Sequence, residues 1–517
     1  MVSPEDWAYK AEPQERACLG YKNNRCAWPR GKALGGSSSI NFMFYVRGNK
    51  ADYDEWAAAG NKGWSYDEVL PYFIKSENFS GVLNEHRRKY HGTEGYLGVT
   101  DDTYLDDFER MLLRAIEETG IPIIGDINEE SQMGAAKAST TTKDGIRYST
   151  ARSFLTPIKD RKNLHVVKNA HATKILFKPG TNEVNGVLMN KHGRDITVNA
   201  KKEVITSAGA INSPQLLLLS GIGPSEQLSK LGIDVKADLP VGQNLLDHVF
   251  VPFFYTLPGE NKINAEYIAK EIYNYVVNRK GPFADTKPHR IMSLMNTTDS
   301  KAVSPDLQFH YFVYPPGAYN ILDIFQKHGL RDDIQKQYRE INDNNYVLIV
   351  YSVLEIPKSI GKLVLKSKDP IEYPLIYPNY FDNVEDLKVI IDGFKQHIIK
   401  LGDTKAFKEA GFKLKWLELE ECKDYKKGSD EFLDCYSRVL TFSLYHPTTS
   451  AKMGTDNDKT AVVDPELRVR KVKNLRVIDA SVMPNNIRGN TNAPTIMIAE
   501  KGCDLIKQTW IDKHSDL

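Results

Sequence analysis

One histidine stands where its chemistry could be used: His446, within Tyr445-His446-Pro447-Thr448-Thr449-Ser450. A neutral imidazole suits a general base near pH 7, although a lone histidine before proline equally suits a loop or a cap. Far upstream, residues 28–49 read WPRGKALGGSSSINFMFYVRGN. Gly31, Gly35 and Gly36 permit close backbone approach, and Ser37, Ser38 and Ser39 add hydroxyls and free N–H groups at the start of an apolar segment. An anionic or polar group can sit there; a tight turn is the plainer reading. The segment is not a Walker A loop, because Lys32 precedes the glycine pair. A third feature is EVITSAGAINSP, a strand that ends in Ala-Gly-Ala and opens onto a helix, where a phosphate or cofactor can lie or where glycines simply serve packing. No C-x-x-C, no H-E-x-x-H and no Cys/His cluster with zinc-ligand spacing occurs, so no metal is expected.

The elements that must position these residues follow from periodicity. Residues 164–209 alternate β-branched and polar side chains around turns at Lys178-Pro179-Gly180 and Lys191-His192-Gly193, a strand-turn-strand-turn-strand pattern. A helix is expected next, with Ser213 as its N-cap and Pro214 at its first position, ending at Ser220-Gly221-Ile222-Gly223-Pro224. Residues 474–484 (NLRVIDASVMP) read as a buried strand ending at Asp479, and 490–508 as a helix with Ile496, Ile498 or Ala499, Cys503 and Ile506 facing inward. The strands at 203–208 and 475–479 are expected to be parallel neighbours in one sheet.

Composition sets the limits. In 517 residues, 68 Lys+Arg balance 67 Asp+Glu, and 41% of residues are hydrophobic, as in a globular chain of two or three domains. A net charge of +1 supplies no field for a phosphate backbone, which argues against nucleic-acid partners. The longest apolar runs, such as 347–356 (VLIVYSVLEI), have the length of buried strands, so no membrane span is expected. The first residues are polar and lack the apolar core of a secretory leader. Cys18 with Cys26, and Cys422 with Cys435, can each close a small disulfide loop or stand as free loop thiols, while Cys503 reads as a core residue. Two N-x-[ST] sequons, at Asn78 and Asn296, matter only in a secretory pathway.

Several blocks together resemble the glucose-methanol-choline (GMC) family of flavoprotein oxidoreductases, most closely its insect glucose-dehydrogenase-like branch. They are GKALGGSSSINFMFYVRGNKADYDEW, GAINSPQLLLLSGIG, and the end from YHPTTSAKMG through VVDPELRVRKVKNLRVIDASVMP to GNTNAPTIMIAEKGCDLI, in the family's order. GIRYSTARSFL (145–155), VGQNLLDH (241–248) and PNYFDNVEDL (378–387) fill the intervals. The resemblance implies an α/β (α+β) fold with a discontinuous FAD-binding domain over 1–75, 145–248 and 455–517. A substrate domain with an antiparallel sheet and helices would cover 76–144 and 249–454.

The same resemblance implies oxidation of the CH–OH group of a small-molecule alcohol or sugar, with oxygen or a quinone as electron acceptor and with extracellular location. His446 and Asn492 match the catalytic pair: the imidazole takes the hydroxyl proton while the carbon gives hydride to flavin N5, and the amide holds the developing alkoxide. Asn41, Met43 and Phe44 match positions lining the flavin ring, with Tyr445 beside His446. Gly35, Gly36, Ser37 and Ser38 match the ribityl and phosphate region, Ala172 the adenine contact, and Asp479 and Ala480 the strand end beside the pyrophosphate. Ile40 stands where some members carry a tethering histidine, so FAD is expected to be non-covalent. Members open with a strand, a G-x-G-x-x-G turn and a helix; these residues hold only Gly221-Ile222-Gly223, with Glu226 at the third position. On that reading the chain is truncated and binds FAD poorly as given, which leaves a non-catalytic chain, or a hydroxynitrile-lyase-like flavoprotein, as alternatives.

Overall fold

A computed structural model of the protein describes residues 3–102, 104–261, 263–284, 290–318 and 328–515. Its largest sheet is built from runs dense in β-branched and aromatic residues, which fit a pleated, covered surface: Val249–Pro258, Leu307–Tyr314 and Asn345–Leu354. The order across the sheet is Lys413–Lys415, Val249–Pro258, Asn345–Leu354, Leu307–Tyr314, Ile291–Met295 and Gly134–Lys137, antiparallel at every step. Phe442–Ser443 pairs with the start of Val249–Pro258. Pro252, which has no N–H to give a ladder, lies in the gap between the two short strands on that edge. Phe250 stacks between Tyr351 (4.1 Å) and Phe442 (5.1 Å), tying three strands together through their rings.

The second layer carries the expected meander: Ala170–Phe177, Val184–Lys191 and Arg194–Asn199, antiparallel, with turns at the Pro-Gly and His-Gly positions. Its first strand begins at Ala170 and not at 164. Asn169 adopts a left-handed conformation (φ 53°) that breaks the extended run, leaving Val166 and Val167 exposed outside any strand. Val204–Thr206 and Leu475–Val477 are parallel neighbours, as their buried β-branched character suggested.

The helix after that strand is Gly209–Leu219, so it starts four residues before the expected N-cap. Ser213 is a fully buried interior residue whose hydroxyl donates to Asp479 Oδ2 (2.5 Å) instead of capping. Pro214 removes the N–H that would reach the Ala210 carbonyl one turn earlier, and Ser450 Oγ donates to that carbonyl in its place (2.6 Å). The C-terminal helix, Asn492–Ser515, buries Ile496, Met497 and Ile498. Cys503, expected in the core, is exposed. Gly502 takes the inward position beside it, where a Cβ would meet Ile478 at 2.9 Å. Lys75 of the Tyr66–Ser76 helix pairs with Glu500 and Asp504, each at 3.1 Å, on the face where the two helices meet. Both candidate cysteine pairs are disulfides, Cys18–Cys26 and Cys422–Cys435.

Candidate active site

His446 follows Phe442–Ser443 in a loop whose backbone is held away from its preferred conformations. Tyr445 and Thr449 have φ of 64° and 68°, values that side-chain-bearing residues keep only when their surroundings impose them. The imposing group is Asp247. Its Oδ1 accepts from the His446 N–H (2.7 Å), and its Oδ2 accepts from Ser443 Oγ (2.5 Å) and from the Tyr380 hydroxyl. Burial pushes the Asp247 carboxyl up to about 6, against the pull of Ser443, Tyr380 and Arg30. Arg30 also donates to the Tyr445 carbonyl, so the loop is anchored from the Gly-rich segment as well. Burial holds the His446 imidazole well below its ordinary pKa, and His248, Arg30 and His310 push in the same direction, so the ring is neutral at pH 7.

The ring reaches two side chains. His446 Nδ1 lies 3.0 Å from His248 Nδ1, and His446 Nε2 lies 3.4 Å from Asn490 Nδ2. The asparagine beside the histidine is therefore Asn490 and not Asn492. Asn492 is the first residue of the C-terminal helix, and among the described residues no hydrogen bond joins it to His446. The turn before that helix explains the difference. Asp52 Oδ2 accepts from Arg488 N–H (2.8 Å) and its Oδ1 pairs with Arg488 Nη1 (2.5 Å), which pins the loop. Gly489 then turns with φ of 142° at a point where a Cβ would meet Val46 Cγ1 at 2.5 Å. That turn delivers residue 490 to the ring, and the helix begins two residues later at Asn492.

The Gly-rich segment is a second cluster of expected site residues. Gly35 and Gly36 have φ of 90° and 54°, and Gly36–Ser39 forms one 3-10 turn. Gly31 must be glycine, since a Cβ there would meet the Gly36 carbonyl oxygen at 2.1 Å. Ser38 Oγ donates to Gly35 O (2.6 Å) and accepts from Thr150 N–H (2.9 Å). Ser37 Oγ accepts from Gly31 N–H (3.3 Å). Arg147 Nη1 donates to both oxygens of Asn41, at 2.8 and 2.7 Å, fixing the segment from below. Met43 has φ of 65° and is held by the Thr141 N–H on its carbonyl (2.7 Å). Phe44 is buried against His310, ring to ring at 5.1 Å. Asp479, at the end of its strand, accepts four hydrogen bonds: from Gly209 N–H (2.9 Å), Ser213 Oγ (2.5 Å), and Ser481 N–H (2.8 Å) and Oγ (2.6 Å). Those bonds fill its acceptor sites, so Asp479 works by locking the strand end to the Gly209 helix, with Ala480 opening the short turn after it. Ser450 on Ala210 and the Ala451 N–H on Ser481 (2.9 Å) tie the His446 loop to the same knot. Ala172 stands apart, exposed on the Ala170–Phe177 strand.

Two features escaped the spacing of the sequence. His91, Asp126 and Glu129 bring potential ligand atoms within 4.8 Å of one another. Arg87 already lies among them, 2.8 Å from Asp126 and 2.5 Å from Glu129, and supplies the positive charge there. A cleft of about 780 Å³ runs between Trp7, Tyr9, Lys32, His171 and Tyr373, and none of the residues around His446 lines it. Asn490, Asp247 and His248 are the residues in contact with His446 that pattern reading missed. For the last two the only signal was their place in VGQNLLDH.

Residues 15–250 match the N-terminal family model described as GMC oxidoreductase, and residues 357–499 match its C-terminal counterpart. The chain is 39% identical over 510 residues to glucose dehydrogenase (FAD, quinone) of Drosophila pseudoobscura pseudoobscura, covering 98% of this chain and 78% of that protein. It is 36% identical to the mitochondrial choline dehydrogenase of Homo sapiens, covering 97% and 79%. Among solved structures, a formate oxidase superposes with a TM-score of 0.83 at 26% identity, covering 99% of this chain and 89% of that one.

Proposed function

The chain belongs to the GMC oxidoreductase family, and from that premise we propose that it is an FAD-dependent dehydrogenase or oxidase of the CH–OH group of an alcohol or sugar. The observation that carries the reading is the meeting of His446 Nε2 and Asn490 Nδ2, 3.4 Å apart. A neutral ring nitrogen that takes a proton, set beside an amide N–H that donates to the same oxygen, is what removal of a hydroxyl proton requires.

The residues present suit the flavin ring and ribityl end of FAD, while the G-x-G-x-x-G turn that would take the pyrophosphate is not among them. Phe42 is 50% exposed, and Asn41 and Met43 are half-buried beside it, a row of side chains left open for a ring to cover. Space is free where a Cβ would stand at Gly36 and Gly209, so a ligand can approach either backbone. At the start of the Gly209–Leu219 helix the Asp479 carboxylate already takes the Gly209 N–H. Asn41, Met43, Phe44 and Tyr445 would border the ring, Gly35 to Ser38 and Ala480 the ribityl and phosphate chain, and Ala172 the adenine. Ile40 offers no nucleophile for a tether, in keeping with non-covalent FAD. We read 1–75, 145–248 and 455–517 as the cofactor-holding part, and 76–144 with 249–454 as the part that covers the substrate.

When bound, FAD supplies the acceptor for the hydride that leaves the carbinol carbon. His446 takes the hydroxyl proton at Nε2, and burial keeps the ring neutral beforehand. Asn490 Nδ2 donates to the same oxygen and strengthens its hold as the alkoxide develops. Phe44, His310 and Phe312 form an apolar wall, with His310 held neutral by burial at a pKa of about 3. The electron acceptor that closes the cycle is oxygen or a quinone, the latter in the name of the Drosophila relative. The two disulfides favour an oxidising, extracellular setting. Among the described residues no helix is long and apolar enough to cross a membrane.

The test is anaerobic mixing of the FAD-loaded protein with a panel of an aldose, choline, a primary aliphatic alcohol and a sterol. Loss of the oxidised flavin absorbance with at least one member, and release of the corresponding carbonyl, supports the reading. A flavin that stays oxidised with all of them while the protein remains folded contradicts it.

A further inference from the structure

Which nitrogen of His446 is free to take a proton depends on a residue that touches neither substrate nor flavin. His248 directly follows Asp247, so two consecutive residues hold the base. Asp247 accepts from its main-chain N–H, while His248 faces its ring. His248 is completely buried. Its Nε2 lies 2.9 Å from the main-chain carbonyl of Glu355, a group that can only accept. The Glu355 carboxyl, 4.0 Å from the same nitrogen and pushed well above the usual carboxylate range by burial, is too far to bond. The Nε2 contact with the Glu355 carbonyl draws the His248 proton to that nitrogen and leaves Nδ1 with a lone pair, with the Ile487 main chain as a further acceptor near the ring.

That lone pair is 3.0 Å from His446 Nδ1. Resting on the reading of His446 as the base, we infer that His248 is a positioning residue that fixes the proton of His446 on Nδ1 and so leaves Nε2 bare toward the substrate. The relay runs one way. Nε2–H of His248 donates to the Glu355 carbonyl, and Nδ1–H of His446 donates to His248, so Nε2 of His446 is left as an acceptor. The opposite end agrees independently, since the group facing His446 Nε2 is the Nδ2 of Asn490, a donor. With His446 in the other tautomer, two N–H groups would face each other at Asn490 and two bare nitrogens would face each other at His248. As His446 gains its proton in turnover, the new cation keeps the Nδ1–H bond to a neutral acceptor, and burial holds His248 neutral at a pKa of about 4.

The test uses full-length protein labelled with ¹⁵N-histidine, with ring signals assigned by their loss in His446→Gln and His248→Asn. The expected spectrum at pH 7.5 shows a protonated Nδ1 and a bare Nε2 for His446, and the reverse for His248. A protonated Nε2 on His446 overturns the inference. In FAD-loaded protein, His248→Asn keeps an acceptor opposite His446 Nδ1 and should hold kcat within about tenfold. His248→Leu removes the acceptor and should lower kcat by on the order of 10²- to 10⁴-fold with KM nearly unchanged. Equal kcat in the Asn and Leu variants, with the His446 ring signals unmoved in both, would also overturn it. Should His446→Ala retain full turnover, the base assignment fails by itself, and the ring shifts still decide the tautomer.

Discussion

Replacing Asn490 and Asn492 in turn separates a residue that acts from one that merely stands nearby in sequence. Asn490 Nδ2 sits 3.4 Å from His446 Nε2, long for a hydrogen bond, while its Oδ1 is buried without a partner among the described residues. The side chain thus makes little of its bonding capacity in the resting protein and has it to give to a substrate oxygen. Asn490→Ala should then leave stability within about 1 kcal/mol of the parent, because no well-formed buried bond is broken. Losing one preorganised donor to a developing alkoxide costs roughly 2.7–4 kcal/mol, or about 10²- to 10³-fold in the rate of flavin reduction. Asn492→Ala removes a side chain at the first position of a helix, so the reduction rate should stay within about threefold and stability within about 1 kcal/mol. Rapid anaerobic mixing followed at the flavin absorbance measures the rate, and urea midpoints control for folding. A large rate loss in Asn492→Ala with little in Asn490→Ala would refute the geometry.

Three further outcomes follow from buried groups. Ser450→Ala strands the Ala210 carbonyl and should cost about 1–3 kcal/mol in urea unfolding, but clearly less in a Pro214→Ala background, where the restored N–H can reach that carbonyl; additive effects would contradict the pairing. Arg47 and Glu77 form a fully buried pair at 2.9 Å, so Glu77→Leu should cost about 3–5 kcal/mol and Arg47→Met with Glu77→Leu much less, as a double-mutant cycle in urea would show. His248, His310, His328 and His397 are depressed by burial to about 4, 3, 4 and 3. Each stabilises the fold fully above about pH 6.5 and loses roughly 2 kcal/mol of that by pH 5, as the unfolded chain takes up the proton. Asp52 and Asp247, raised to about 6, work in the opposite sense, as do Asp101, Asp306, Glu355 and His91, but each of the first two recovers only about 1.4 kcal/mol by pH 5. The urea midpoint should therefore fall between pH 7.5 and pH 5, and a flat or rising midpoint would show these histidines to be better solvated than their burial indicates.

Much of the frame was legible because periodicity reports burial. The 170–199 meander and the parallel pairing of Val204–Thr206 with Leu475–Val477 came from alternation and from β-branched runs bounded by turn residues. What failed did so where a tertiary partner overrides a local rule. Ser213 reads as a cap until Asp479 is seen to take its hydroxyl, and Pro214 reads as a helix start until Ser450 is seen to compensate for its missing N–H. Cys503 reads as core because residues three and four apart share a face, yet Gly502 holds the position against Ile478. In Gly489-Asn490-Thr491-Asn492 the two asparagines are equivalent to any pattern. Only the turn at Gly489 and the clamp of Asp52 on Arg488 decide which one meets His446.

The assignment of His446 as the base is tested most directly by the rate of anaerobic flavin reduction in FAD-loaded parent and His446→Ala protein, with an active alcohol carrying either protium or deuterium on its carbinol carbon. The parent should show slower reduction with the deuterated alcohol. His446→Ala should retain its flavin and its fold while reduction falls by on the order of 10²- to 10⁴-fold. Reduction at the parental rate in His446→Ala, with flavin content unchanged, would contradict the assignment.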